Sequence, residues 1–217
     1  GTNGKPNIIS RAFFKLWELF LMFGLVDISE QNYTSVHLAE APGSFIQATL
    51  LYREKFGPKD ASKNDKYFGT SIYPESANPE DFIPAMHPSF SNYFTKEKPL
   101  RTFIFETVPK ADAAKNPNKS NGDLTNKKDI NLFVKYFKEN SKKKANLVTA
   151  DGGFEWKDEN LQEQEVFPLV LGEVLTAMYV LAKGGNFVCK VYETFTGLNV
   201  KLLCLLKLLF KSVYVVK

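Results

Sequence analysis

The stretch Leu147-Val148-Thr149-Ala150-Asp151-Gly152-Gly153-Phe154 decides how the rest of the chain is read. Apolar and β-branched residues run into a carboxylate, and two glycines follow at once. In an open α/β sheet a strand delivers its last side chain to the crevice at its carboxyl end, where ligands bind. Asp151 stands where such a strand stops, and Gly152 and Gly153 let backbone or ligand approach closely. Taken alone, an acid followed by glycine is also ordinary turn chemistry. The neighbouring segments have to decide between the two.

Upstream, Ser10 N-caps a predicted helix that runs to about residue 23 and stops at Gly24. Phe13, Leu16, Trp17 and Phe20 give it an apolar face, and Lys15 falls off that face. Residues 35–40 read as a strand, Ala41-Pro42-Gly43-Ser44 as a tight turn, and residues 45–55 as a helix. Strand, glycine turn and helix is the layout that cradles a nucleotide-like ligand against a helix start. The turn is not G-x-G-x-x-G, which argues against a dinucleotide. Residues 66–72 and 101–107 are further strand candidates, separated by a proline-rich stretch. Residues 109–129, with five lysines, read as an exposed loop. Residues 129–140 form a short amphipathic helix, and Lys142, Lys143 and Lys144 precede the strand that ends at Asp151.

Downstream, Asn160 and Glu163 have capping-box spacing, so a long helix is expected from there to residue 182, ended by Gly184 and Gly185. Residues 186–192 then read as a strand, apolar except for Lys190, a residue costly to bury unless paired or functional. A helix over residues 198–210 and a strand over 212–216 finish the chain. The alternation predicts a single α/β domain over residues 1–217, a mostly parallel sheet with helices on both faces.

Composition is that of a globular domain: 44% of the 217 residues are hydrophobic. The formal net charge of +4 is mildly basic and compatible with a phosphate-bearing partner. The only cysteines, Cys189 and Cys204, sit in apolar runs, which points to free thiols and an intracellular setting, cytoplasmic before nucleus or virion. Residues 202–210, interrupted by Lys207, fall far short of the roughly 20 apolar residues of a membrane span. His37 and His87 with two cysteines do not match metal-ligand spacing, so no metal is expected, and His37 reads as a hydrogen-bonded structural residue.

Four motifs in order now carry a resemblance: Ser10-Arg11-Ala12-Phe13-Phe14-Lys15-Leu16, Ala41-Pro42-Gly43-Ser44-Phe45, Ala150-Asp151-Gly152-Gly153-Phe154 and Phe187-Val188-Cys189-Lys190. Together they resemble the FtsJ/RrmJ-like ribose 2′-O-methyltransferases over residues 10–217. The run from Asp151 to Thr196 looks most like the cap-specific members of eukaryotes and large DNA viruses. The resemblance implies a Rossmann-like fold, S-adenosylmethionine as cofactor, RNA (capped mRNA first) as partner, and three of a Lys-Asp-Lys-Glu tetrad: Lys15, Asp151 and Lys190. It makes the Ala41-to-Phe45 turn (Pro42, Gly43, Ser44, Phe45) the cofactor loop, with Asp123 on the adenine and Asp151 also facing the cofactor. The fourth acid normally follows a Lys-Pro-x-Ser-Arg stretch, which would begin at Lys217, so the resemblance implies a chain cut short at its C-terminal end.

Two departures from the family pattern stand out: His37 where an aspartate is common, and Ser44 where a second glycine is common. Glu40 is the substitute for the first carboxylate, and Glu75 alone is near enough to meet the cofactor ribose. On the RNA side, Arg11, Lys157 and the Lys142-Lys143-Lys144 run are candidates for phosphates and Trp156 for base stacking. Three functions remain: a cap 2′-O-methyltransferase, a methyltransferase of ribosomal or transfer RNA, and a catalytically silent RNA-binding module of the same fold.

Overall fold

The computed structural model describes residues 8–74, 101–153 and 161–217. Eleven elements follow one another there: α1 (Ala12–Phe23), β1 (Thr34–Leu38), α2 (Ser44–Phe56), β2 (Lys66–Thr70), β3 (Thr102–Ile104), α3 (Lys110–Lys115), α4 (Lys127–Asn140), β4 (Ala145–Ala150), α5 (Gln162–Val180), β5 (Leu181–Cys189) and α6 (Gly197–Leu209). The five strands form one sheet, ordered β3-β2-β1-β4-β5, and every pairing is parallel. The expected α/β architecture is therefore the one observed.

Alternation along each strand sorts side chains to opposite faces. Val36, Leu38, Val148 and Ala150 meet Ile130, Phe133 and Phe137 of α4 and Ala177 and Val180 of α5. On the other face Leu147 meets Phe13, Leu16 and Phe20 of α1 and Phe45 and Ala48 of α2. Between Leu147 and its neighbours runs a polar stripe: His37 Nε2 lies 2.8 Å from Ser35 Oγ, and its Nδ1 lies 2.7 Å from Thr149 Oγ1. His37 is fully buried, and burial pulls its pKa down to about 3. It is the neutral, hydrogen-bonded residue expected, tying β1 to β4.

Several local expectations need correction. Leu181 pairs with Ala145, so β5 begins where α5 ends; Gly184 (φ 81°) sits at a register shift inside the strand and does not terminate the helix. The strand stops at Cys189, which leaves Lys190 just beyond it. Residues 212–216 make no ladder among the described residues; Tyr214 instead lies against Phe23, ring centroids 5.2 Å apart. The lysine-rich segment is not simply an exposed loop: it contains α3, and Ser120, Asn121 and Leu124 are buried, with Asp129 accepting from Ser120 Oγ and Asn121 N. Lysine content masked these anchors.

Asn160 lies outside the described residues, and Glu163 does not cap its own helix. It accepts from Thr196 N (2.8 Å), Thr196 Oγ1 (2.8 Å) and Asn199 Nδ2 (2.6 Å), satisfying the start of α6 across space. Ser10 does act at the start of α1, where its Oγ accepts from Ala12 N at 3.2 Å, and Gly24 closes that helix in the left-handed region.

Gly172, within α5, is where helix propensity and packing disagree. Glycine in a helix interior costs about 1 kcal/mol relative to alanine, yet a Cβ here would land on the carbonyl oxygen of Leu124. Overpacking against backbone costs about 1–3 kcal/mol. Gly172→Ala should therefore lower the urea midpoint, with a net destabilisation of up to about 2 kcal/mol. A raised midpoint would show that α5 does not rest on the 120–125 loop.

Candidate active site

Parallel register assembles the site. Leu38 pairs with Thr70 on one side and with Ala150 on the other, and Ala150 pairs with Cys189. The residues that follow these rim positions are Ser71, Ala39, Asp151 and Lys190, so they emerge together at the carboxyl edge. The chain winds outward from β1 through β2 to β3, then returns to β4 on the other flank. The crevice between β1 and β4 is thus the topological switch point, the usual ligand site of such sheets.

Asp151 and Lys190 meet there. Lys190 Nζ lies 3.0 Å from Asp151 Oδ1 and donates to the Asp151 carbonyl at 3.1 Å, and the Lys190 N–H closes the ladder on Ala150 O at 2.8 Å. The side chains are 32% and 20% exposed, half-shielded but open to a ligand. Burial alone would lower the lysine pKa; the charge and hydrogen bond of Asp151, with Tyr192, outweigh it and raise the pKa. Lys190 is therefore an ammonium in this state. The Tyr192 ring centre lies 5.3 Å from Nζ, and Tyr192 Oη donates to Gly152 O at 3.3 Å, closing one wall.

The Ala41-to-Phe45 turn forms the opposite wall. Gly43 has φ 111°, a conformation that favours glycine, and it opens α2. Glu40, 5% exposed, turns back so that Oε1 accepts from Phe45 N (2.8 Å) and Ile46 N (2.9 Å). Burial pushes its pKa up to about 8, against those two bonds, and Asp151 adds to the rise. Ser44 Oγ is engaged with Ser10 Oγ at 2.8 Å, and the Phe45 ring is core, so these two offer the crevice backbone and not side chain. Pro42 is half-buried at the rim.

The loop that carries Asp123 is tied to the same turn through Ser71. Ala41 N donates to Ser71 Oγ at 3.3 Å, and Gly122 packs so tightly on the Ser71 carbonyl that a Cβ would collide with it. The turn and the loop acid thus hang from one residue. Asp123 Oδ1 accepts from Thr125 N (2.9 Å) and Oγ1 (2.6 Å) in a local turn.

Other candidates are not brought together. Lys15 is exposed on the first turn of α1 and, among the described residues, makes no hydrogen bond or ion pair. Its helix does start at the carboxyl rim, through the Ser10–Ser44 contact, and Arg11 is exposed beside it. Lys142, Lys143 and Lys144 precede β4 and so lie at the amino end of the sheet, about 20 Å of strand from Asp151; they do not flank the crevice. Glu75, Phe154, Trp156 and Lys157 lie outside the described residues. Among the described residues no His, Cys, Asp and Glu side chains group as metal ligands, and no helix is long and apolar enough to cross a membrane.

Glu173 escaped the sequence reading. It is fully buried on α5 and accepts from Gly152 N at 3.1 Å. Its signal was the one that singled out Lys190, a charge inside an apolar run.

A switch-point crevice with a lysine paired to the acid at the end of β4 defines a ligand-binding site of an open α/β sheet. Residues 8–217 match the FtsJ-like methyltransferase family, and the chain belongs to that family. It is 28% identical over 222 residues to the cap-specific mRNA (nucleoside-2′-O-)-methyltransferase 2 of Drosophila melanogaster, covering 98% of this chain and 28% of the fly protein. It is 31% identical over 179 residues to cap-specific mRNA (nucleoside-2′-O-)-methyltransferase 1 of Mus musculus, covering 81% of this chain and 18% of the mouse protein. A Bos taurus relative of the same description is 38% identical over 98 residues. The chain thus spans under a third of these relatives.

The raised pKa of Glu40 carries a sign. Its folded value near 8 exceeds the unfolded 4.5, so its stabilising contribution is present below about pH 4.5 and is lost as pH rises toward 8. Glu40→Gln keeps an acceptor and cannot ionise. The variant should gain stability relative to wild type between pH 5 and 8.5, on the order of a few kcal/mol, in urea unfolding. A difference independent of pH would mean that Glu40 is ionised throughout.

Proposed function

We propose that this chain is an S-adenosylmethionine-dependent RNA ribose 2′-O-methyltransferase acting at the mRNA 5′ cap. The Asp151–Lys190 pair at the switch point carries this reading, and the names of the relatives supply the cap. Asp151 at the rim, and Asp123 on the loop tied to Ser71, are the acids that suit a cationic, hydroxyl-bearing ligand, while Glu40 holds the start of α2 in place. When bound there, S-adenosylmethionine supplies a methyl group already activated by its positive sulfur. Gly43, Pro42 and the start of α2 would hold its amino-acid end, and Asp123 its adenine side.

The chain must orient a ribose hydroxyl and take one proton from it. Asp151 holds Lys190 through side chain and carbonyl, and so fixes where the amine stands at the rim. The same carboxylate holds it protonated until further positive charge arrives. Lys15, on the first turn of α1 at the rim, would supply such charge once bound RNA draws its side chain toward the pair. Lys190 then serves as general base. Arg11 and Lys15 meet RNA phosphates on the α1 side, with Trp156 and Lys157 as further contacts. An mRNA substrate implies an intracellular setting, cytoplasmic or nuclear.

Gly43→Val and Asp123→Ala should each weaken S-adenosylhomocysteine binding by about tenfold or more, the equivalent of one lost hydrogen bond to a charged group. Unchanged affinity in calorimetry removes these residues from the cofactor site. In the full-length protein, Lys190→Arg should retain cofactor and RNA affinity and lose methyl transfer by about 100-fold or more, the range of general-base loss. Assayed on matched RNAs with and without a methylated cap, equal turnover on both would sink the cap assignment while sparing the 2′-O-methyl chemistry.

A further inference from the structure

Gly172 and Glu173 occupy the middle of α5, a helix whose inner residues Val166, Val170 and Val174 build an apolar cluster. An acid in that setting is costly to bury unless its oxygens are bonded. The partners of Glu173 are placed unusually. Oε1 accepts from the N–H of Gly152, the residue after Asp151, at 3.1 Å. Oε2 lies 3.8 Å from Sγ of Cys189, the residue before Lys190. One buried carboxyl therefore bonds the chain neighbours of both members of the ion pair, from behind and with no exposure of its own. Gly172, its neighbour, bears on the Leu124 carbonyl beside Asp123.

We propose that Glu173 is a positioning residue for methyl transfer, fixing the turn after Asp151 and the end of β5 so that Asp151 and Lys190 meet in one geometry. The proposal rests on reading that pair as the reacting centre. A role confined to stability needs no acid here, since a thiol is a weak donor and a single backbone N–H leaves the carboxyl poorly satisfied. The titratable groups facing Glu173 are Asp151 at the end of β4, and Cys189 and Lys190 at the end of β5. Burial pushes its pKa up to about 7, while the Gly152 bond, Lys190 and Cys189 pull it down and Asp151 raises it. By reciprocity an ionised Glu173 raises the pKa of Lys190.

Two variants and two readouts test this in the full-length protein. Glu173→Gln keeps an acceptor for Gly152 and removes the charge; Glu173→Met removes both. In wild type the amide proton resonance of Gly152 should titrate with a midpoint near neutrality, and in Glu173→Gln that titration should vanish. In methyl transfer Glu173→Gln should move the Lys190 limb of the kcat profile to lower pH by about half a unit or more. Glu173→Met should lower kcat by about tenfold while KM for S-adenosylmethionine and RNA stays within about twofold. If Glu173→Met does not fold, the resonance and pH profile of Glu173→Gln decide the matter. An active wild type with an unmoved pH limb in Glu173→Gln, or with kcat and KM changing together in Glu173→Met, overturns the positioning role. A wild type with no methyl transfer to any RNA, yet a titrating Gly152, overturns the function proposed above and leaves only a structural carboxyl.

Discussion

The site depends on the register of β4. This strand pairs with β1 and β5 at once, and its last residue, Ala150, stands level with Leu38 and Cys189. A shift of one residue on either side would turn every side chain of the moved strand to the other face. A slip of β1 would place His37 against the α4–α5 core, and a slip of β5 would separate Asp151 from Lys190. Two devices resist such slippage: the His37–Thr149 contact between β1 and β4, and the Lys190 N–H on Ala150 O between β4 and β5. The first is neutral and buried. The second continues directly into the ion pair.

The chain handles buried charge in two ways, and the difference separates scaffold from site. Toward the amino end of the sheet, Arg53 and Asp65 are fully buried and closely bonded. Arg53 donates to both Asp65 oxygens and to the carbonyls of Asp27, Glu30 and Ala61, and Asp65 also accepts from Tyr33 N and Tyr67 Oη. A network so completely bonded is what a buried pair requires to persist. At the carboxyl rim the acids are less well served. Glu40 and Glu173 have backbone N–H donors, three between them, and their pKa values rise to about 8 and 7. Perturbed groups gathered in a cleft are a mark of function.

Much of this was readable from residues. The central strands follow from apolar runs closed by an acid or a glycine turn, and Asp151 and Lys190 from charge placed at or inside such runs. What escaped was set by partners distant in sequence. Glu163 has the spacing of a local cap, but its carboxylate is used by α6, more than thirty positions later, because that helix start lies beside it. The glycine pair at 184–185 reads as a helix stop, yet Leu181 already pairs with Ala145, so the glycines fall at an irregularity within the ladder. The tail at 212–216 has the composition of a strand, and composition cannot supply the neighbour that a strand needs. Glu173 is hidden in the sequence because an apolar helix explains itself by packing, and nothing local reveals that Gly152 will present its N–H there.

The 120–125 loop joins these observations. Gly122 lies on the carbonyl of Ser71 and Gly172 on the carbonyl of Leu124, two approaches that a Cβ would block. Between them stands Asp123, on a loop held against the end of β2 on one side and against α5 on the other. Glu173 is one residue beyond the second contact and bonds the turn after Asp151. A displacement of α5 toward or away from the sheet therefore acts on Asp123 and on the Asp151–Lys190 pair through adjacent residues. Cores are close-packed and transmit such shifts. The loop that carries Asp123 and the turn that carries Asp151 are thus braced by one helix, and a shift of that helix reaches both.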